Sequence, residues 1–139
     1  MNIVYATDRS FVPAAHENPQ SPGVWKKVLL QRADLQAGNV QMINWARLPP
    51  DKHFAAHYHE DMQEVFVILA GEVQIRVAGQ TAVLRRGDTI VIDAREVHQM
   101  SNAGPADAEY LAMGITAGAH GRTVVVPSAI QPGSDRGAD

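Results

Sequence analysis

No cysteine occurs among the 139 residues, so the chain can form neither a disulfide framework nor a thiolate metal site. Any bound metal ion has to be held by His, Asp or Glu. Aromatic residues amount to 6% and charged residues to 19%, with twelve basic side chains against fifteen acidic ones and a net charge of −3. Phosphate backbones are bound by clustered Lys and Arg, and here the basic residues adjoin each other only at Lys26-Lys27 and Arg85-Arg86. Nucleic acid is therefore not an expected partner. No apolar run reaches the ~20 residues that cross a bilayer, and MNIVYATDRSF lacks the basic head and apolar core of a signal peptide. We expect a cytoplasmic, soluble protein without a membrane partner.

What is present is an ordinary globular composition, 45% hydrophobic, in a chain long enough for one core that buries roughly two-thirds of the unfolded surface. Residues 1–23 carry three prolines and little periodicity, which suggests an extended N-terminal arm laid over the domain. Residues 24–127 read as the domain itself, and residues 128–139 as a polar, frayed tail. Within the domain, short β-branched segments (VWKKVLL, VQMINWARL, EVFVILAGEVQIRVAG, TAVL, TIVIDA, VHQM, EYLAMGI, RTVVV) alternate with turn signals such as Ala70-Gly71-Glu72, Ala78-Gly79-Gln80 and Arg86-Gly87-Asp88. This spacing predicts an all-β fold, an antiparallel sandwich or small barrel, with at most one helical turn near residues 31–36. In the strand Glu64–Leu69, alternation puts Glu64, Phe66 and Ile68 on one face and Val65, Val67 and Leu69 on the other. Both faces are apolar, so the outer one is expected to pack on a second copy in a homodimer.

The stretch HYHEDMQE, residues 57–64, carries the chemistry. In a strand His57 and His59 project from one face about 6.6 Å apart, at ~3.3 Å per residue. That separation lets two imidazoles converge on one ion at ~2.1 Å metal–nitrogen distances. Glu64, on the inward face with Phe66 and Ile68, and His98, at the start of a later strand, are the further donors on offer. Three histidines and one carboxylate would leave two positions of an octahedral ion for water or substrate. A zinc-protease helix is a poorer reading: His59-Glu60-Asp61-Met62 begins like HExxH, but Gln63 stands where the second His belongs. Glu60 and Asp61 read as a solvated turn, and Gln63 falls on the face opposite Glu64. His16, His53 and His120 read as exposed or loop residues.

Residues 57–71, HYHEDMQEVFVILAG, resemble the first motif of the cupin family at His57, His59, Glu64 and Gly71. Residues 87–102, GDTIVIDAREVHQMSN, resemble its second motif at Gly87, His98 and Asn102. The departures are Asp51 and Arg95, where the motifs often have Gly, and Asp93, where Pro is usual; they bear on loop geometry and not on ligands. The resemblance implies a jelly-roll β-barrel, or double-stranded β-helix. It also implies His57, His59, Glu64 and His98 as ligands of one divalent transition-metal ion, whether Fe, Mn, Ni, Co or Zn. A small-molecule substrate is expected in the barrel mouth against Phe66, Ile68, Met100, Met113 and Met42. The expected function is that of a small-molecule metalloenzyme of dioxygenase type. The alternatives are a metal-dependent isomerase, epimerase or lyase, with Tyr58 or Tyr110 as candidate catalytic base, and a non-catalytic regulatory cupin.

Overall fold

The computed structural model describes residues 5–34, 39–116 and 121–128. Its strands are β1 (Val12–Pro13), β2 (Trp25–Gln31), β3 (Val40–Leu48), β4 (His57–His59), β5 (Met62–Ala70), β6 (Glu72–Val77), β7 (Gln80–Arg85), β8 (Thr89–Ile92), β9 (His98–Ser101), β10 (Ala108–Thr116) and β11 (Thr123–Val125). They form two antiparallel sheets, ordered β1-β2-β3-β10-β5-β8 and β11-β4-β9-β6-β7, which together make a jelly roll. The helical turn expected at 31–36 is a 3-10 turn at Arg32–Asp34; Leu35 and Gln36 lie outside the described residues, as do His120 and the tail from residue 129.

The pleat decides what each strand buries. Along β5, Met62, Glu64, Phe66 and Ile68 are buried while Gln63 and Leu69 are exposed. The core between the sheets gathers Leu48, Phe54, Phe66, Ile68, Ile75, Ile92, Met100 and Tyr110. Hairpin chemistry sets the register. The β6–β7 connection is a two-residue turn, Ala78 (φ 48°) and Gly79 (φ 82°), between the paired Val77 and Gln80. Positive φ at both positions gives the turn whose twist suits flanking strands. At Gly71 (φ 81°), a Cβ would meet Ala108 Cα at 3.0 Å, so both conformation and space demand glycine there.

The outer face of the six-stranded sheet is apolar over several strands. Trp45 and Ile43 of β3 pair with Leu111 and Met113 of β10, which pair in turn with Val67 and Val65 of β5. The arm lies against the same chain's barrel. Val12 and Pro13 pair with Lys26 and Trp25, the Ala14 N–H donates to Val24 O, and Glu17 Oε1 accepts the Ala55 N–H at 2.9 Å. Gly23 packs so closely on His53 that a Cβ would collide with its carbonyl oxygen.

Candidate metal centre

Both sheets contribute to the site. His57 and His59 share the inward face of β4, His98 of β9 is paired with His57 in register, and Glu64 comes from β5 in the other sheet. All four side chains are buried. One donor atom from each lies within 4.8 Å of all the others, close enough for a single ion to span them at the usual ~2.0–2.2 Å bond lengths.

The protons on the imidazoles are set by the backbone. His57 Nδ1 is 2.6 Å from Ala55 O and His98 Nδ1 is 2.9 Å from Glu96 O. A carbonyl only accepts, so each Nδ1 carries the proton and each Nε2 presents a lone pair. His59 Nδ1 is 3.0 Å from Thr123 Oγ1, and donating to that hydroxyl leaves its Nε2 in the same state. Such outer contacts orient metal-binding histidines. His59 Nε2 and His98 Nε2 are buried without a hydrogen-bond partner. They lie 2.9 Å from Glu64 Oε2 and 3.7 Å from Glu64 Oε1, respectively; the shorter distance is out of hydrogen-bonding alignment. Orphaned lone pairs facing a buried carboxylate are what a cation satisfies, so the residues fit a divalent ion.

The electrostatics agree. Burial alone would raise the Glu64 carboxyl, but the rings of His59 and His98, where they turn an N–H to it in place of an ion, hold it well below the usual carboxylate range. Burial, helped by His16 and His98, pushes the His57 pKa down to about 3, which keeps that ring neutral, as ligation requires.

A cavity of about 190 Å³ opens onto His57, His59 and Glu64. Of the residues expected to line it, Phe66 and Met42 do, and Tyr110 does as well. The others go elsewhere, for reasons of pleat and depth. Ile68 and Met100 are sealed in the core and do not reach the cavity. Met113 has the outward parity of β10, between Ile43 and Val65. Tyr58, between two inward histidines, faces the other side of β4. Tyr110 does line the cavity, and burial, with Glu64 and Glu17 adding, raises its pKa well above the ordinary value.

Sequence reasoning missed His16. The arm brings its ring to 4.1 Å from that of His57, against Phe54, as part of the cavity wall. Burial pushes its pKa down to about 4. Nothing periodic marks the residue, since the contact comes from the path of an irregular segment. Thr123 was also missed, although its register opposite His59 on β11 explains its role. The motif departures keep the motif's geometry: Asp51 (φ 60°) and Arg95 (φ 69°) adopt the left-handed backbone that glycine would. Arg95 still donates its N–H to His59 O at 2.7 Å. Asp93 accepts Gln63 Nε2 at 2.8 Å, on the outer side of the site. Asn102 ties its loop down through Leu48 O, Ala106 O and the Gly104 N–H.

A jelly roll with three inward histidines and one glutamate gathered beside a cavity defines a class of small β-barrel with the means to hold a metal. The cupin domain family matches residues 44–114, half of the sequence, and the chain belongs to that family. An oxalate-binding protein of Thermotoga maritima is 34% identical over 67 residues, which are 48% of this chain and 55% of that protein. The match thus spans about half the length of that relative. Among solved structures, a predicted oxalate decarboxylase from Thermotoga maritima superposes with a TM-score of 0.73 at 25% identity, over 83% of this chain and 99% of that one. A polyketide cyclase from Streptomyces resistomycificus superposes at 0.69 with 19% identity, over 83% and 79%; that likeness is one of fold. No helix among the described residues is long and apolar enough to cross a membrane.

Proposed function

We propose that this cupin holds one divalent transition-metal ion at His57, His59, Glu64 and His98, and acts as a small-molecule metalloenzyme of dioxygenase type. The observation that carries the reading is the convergence of four buried donors, two with orphaned Nε2 atoms and three lining one cavity. When bound, the ion supplies Lewis acidity and, if it is redox-active, a place where oxygen is activated. The chain's own residues do the rest. Ala55 O, Glu96 O and Thr123 Oγ1 orient the ligand rings. Phe54 and Phe66 wall the cavity with apolar surface and exclude water, and Tyr110, held protonated, offers a hydrogen-bond donor. Tyr58 faces away from the cavity, which favours this reading over an isomerase or lyase that would use that residue as base.

A second reading, binding or decarboxylation of a small carboxylic acid, is favoured by what the two Thermotoga maritima relatives are called. We further propose that the apolar outer sheet face packs on a second copy in the cytoplasm. Elemental analysis, with oxygen uptake and carbon dioxide release across a panel of diols, enols and small acids, separates the readings. Oxygen uptake supports the dioxygenase, and carbon dioxide release without uptake supports the second. Purified protein that takes up no divalent metal would sink both. A monomer at micromolar concentration in sizing would remove the dimer.

A further inference from the structure

The cavity is wider than a metal and one small ligand need, and the register shows why. In the six-stranded sheet the inward rows run Glu64–Gly114–Met42, then Phe66–Ala112–Asn44, then Ile68–Tyr110–Ala46–Lys26. Two inward positions on the two middle strands, Ala46 and Ala112, line the cavity, and their small side chains leave a trough between Glu64 on β5 and Lys26 on β2. Three strands' width separates them, at roughly 4.8 Å per strand. The trough is several times the size of the space one water needs.

Lys26 stands at its far side. Its neighbour Lys27 faces the other way, over the Phe11 ring, while Lys26 lines the cavity, half-buried, and makes no salt bridge among the described residues. Burial lowers its pKa, partly offset by Glu64, as befits an ammonium short of compensation. Lys26 and Glu64 are the charged residues in the described lining. Glu17, whose carboxylate lies 3.6 Å from His16 Nε2 and is engaged by the Ala55 N–H, stands outside it. With a divalent ion on Glu64 the cavity is net positive. Elsewhere the wall holds further unsatisfied groups: Asn44 Oδ1 and Gln41 Oε1 are buried without a partner. Gln41 reaches the cavity because a β-bulge leaves it unpaired between Met42 and Val40.

We propose that this trough selects an elongated acid, with oxygen donors at the His/Glu cluster and a carboxylate or other anionic group at Lys26. The inference rests on the metal-site reading above and adds the substrate class to it. Lys26 is a specificity-determining residue, and an acid as short as oxalate occupies the metal end alone.

The test is calorimetric titration of manganese-loaded protein with the straight-chain diacids from oxalate to adipate, and with the monomethyl ester of the best binder. At least one longer diacid binds roughly tenfold tighter than its monoester, the size of one charged hydrogen bond. Lys26→Ala reduces that preference to threefold or less, Lys26→Arg keeps most of it, and both variants retain wild-type metal content and oxalate affinity. The proposal is overturned if no longer diacid loses affinity on Lys26→Ala, or if diacid and monoester bind alike. Failure of the wild-type protein to take up manganese overturns the metal-site reading instead.

Discussion

Replacing Glu64 by Gln removes the site's single carboxylate while keeping its size, and should remove most of the metal-linked stability. Anything that binds only the folded state stabilises it by RT ln(1 + [L]/Kd), about 2.7 kcal/mol at a hundredfold excess over Kd. For a chain of 139 residues the unfolding entropy at the midpoint is about 0.3 kcal/mol/K. Saturating metal should therefore raise the wild-type Tm by about 9 °C. Disturbing even the contacts behind metal ligands typically costs 10–100-fold in affinity, and Glu64 is placed as a ligand. A loss of about 100-fold leaves roughly 0.4 kcal/mol at the same metal concentration, a shift of 1–2 °C. The metal-free baseline will also move, because His59 and His98 attract the carboxylate; the readout is accordingly the metal-induced difference in calorimetric Tm. Glu60→Gln is the control. Its carboxylate sits in the β4–β5 turn, 3.8 Å from Arg122 Nη1, and its loss should leave the full shift. A Glu64→Gln protein that keeps the 9 °C shift, or a Glu60→Gln protein that loses it, would refute the assignment.

The metal-free protein should lose stability on mild acidification. Folding depresses the His57 pKa to about 3 and the His16 pKa to about 4, against 6.5 for an unperturbed ring. The unfolded state thus binds more protons below pH 6.5, and unfolding free energy falls as pH drops from about 6.5 towards 3. Glu64, held below its ordinary 4.5, acts with the same sign below that value. Urea titrations at pH 7 and pH 4.5 should differ by a few kcal/mol, given ~1.4 kcal/mol for each tenfold difference in proton affinity between the folded and unfolded states; equal stabilities would contradict the burial of these rings. Asn102→Ala strands the buried Leu48 carbonyl and frees the Gly104 N–H, for a loss of about 2–3 kcal/mol, and a thermal melt within 1 °C of wild type would count against it. Arg95→Gly relieves a left-handed backbone at φ 69°. Stability should stay level or rise by up to about 1 kcal/mol, and a drop of more than that in urea would show that the arginine side chain matters.

The sequence made the candidate metal cluster legible because its information is local. His57 and His59 sit two apart in a strand, Glu64 heads the next inward row, and the glycines at 71 and 87 (φ 81° and 88°) fix where the strands turn. Strand pleat alone also decides Tyr58: any strand that turns His57 and His59 inward turns Tyr58 out. Met113 needed more. Its parity within β10 depends on register with β3 and β5, which a bulge at Gly114/Ile115 shifts against β3, and a one-residue slip would have reversed it. Met100 and Ile68 have inward parity, yet both are sealed beneath other residues. Facing inward and facing the cavity are different conditions, and only the packed fold separates them.

His16 marks a further limit. Ligands carried on regular strands can be read from spacing, because the strand repeats its geometry every second residue. A wall contributed by an irregular arm has no period to read. Its position follows from anchors that are individually unremarkable in sequence: Gly23 where a Cβ would strike His53 O, the Glu17 carboxylate on the Ala55 N–H, and the Val12–Pro13 pairing on β2. These anchors bear on specificity more than on metal binding. The four proposed ligands lie on β4, β5 and β9, whereas His16 and Lys26 come from the arm and the strand to which it is stitched. The cupin motifs accordingly describe the half of the cavity that would hold the ion. The half that would choose among acids is written in residues 14–44, largely ahead of the matched family region at 44–114.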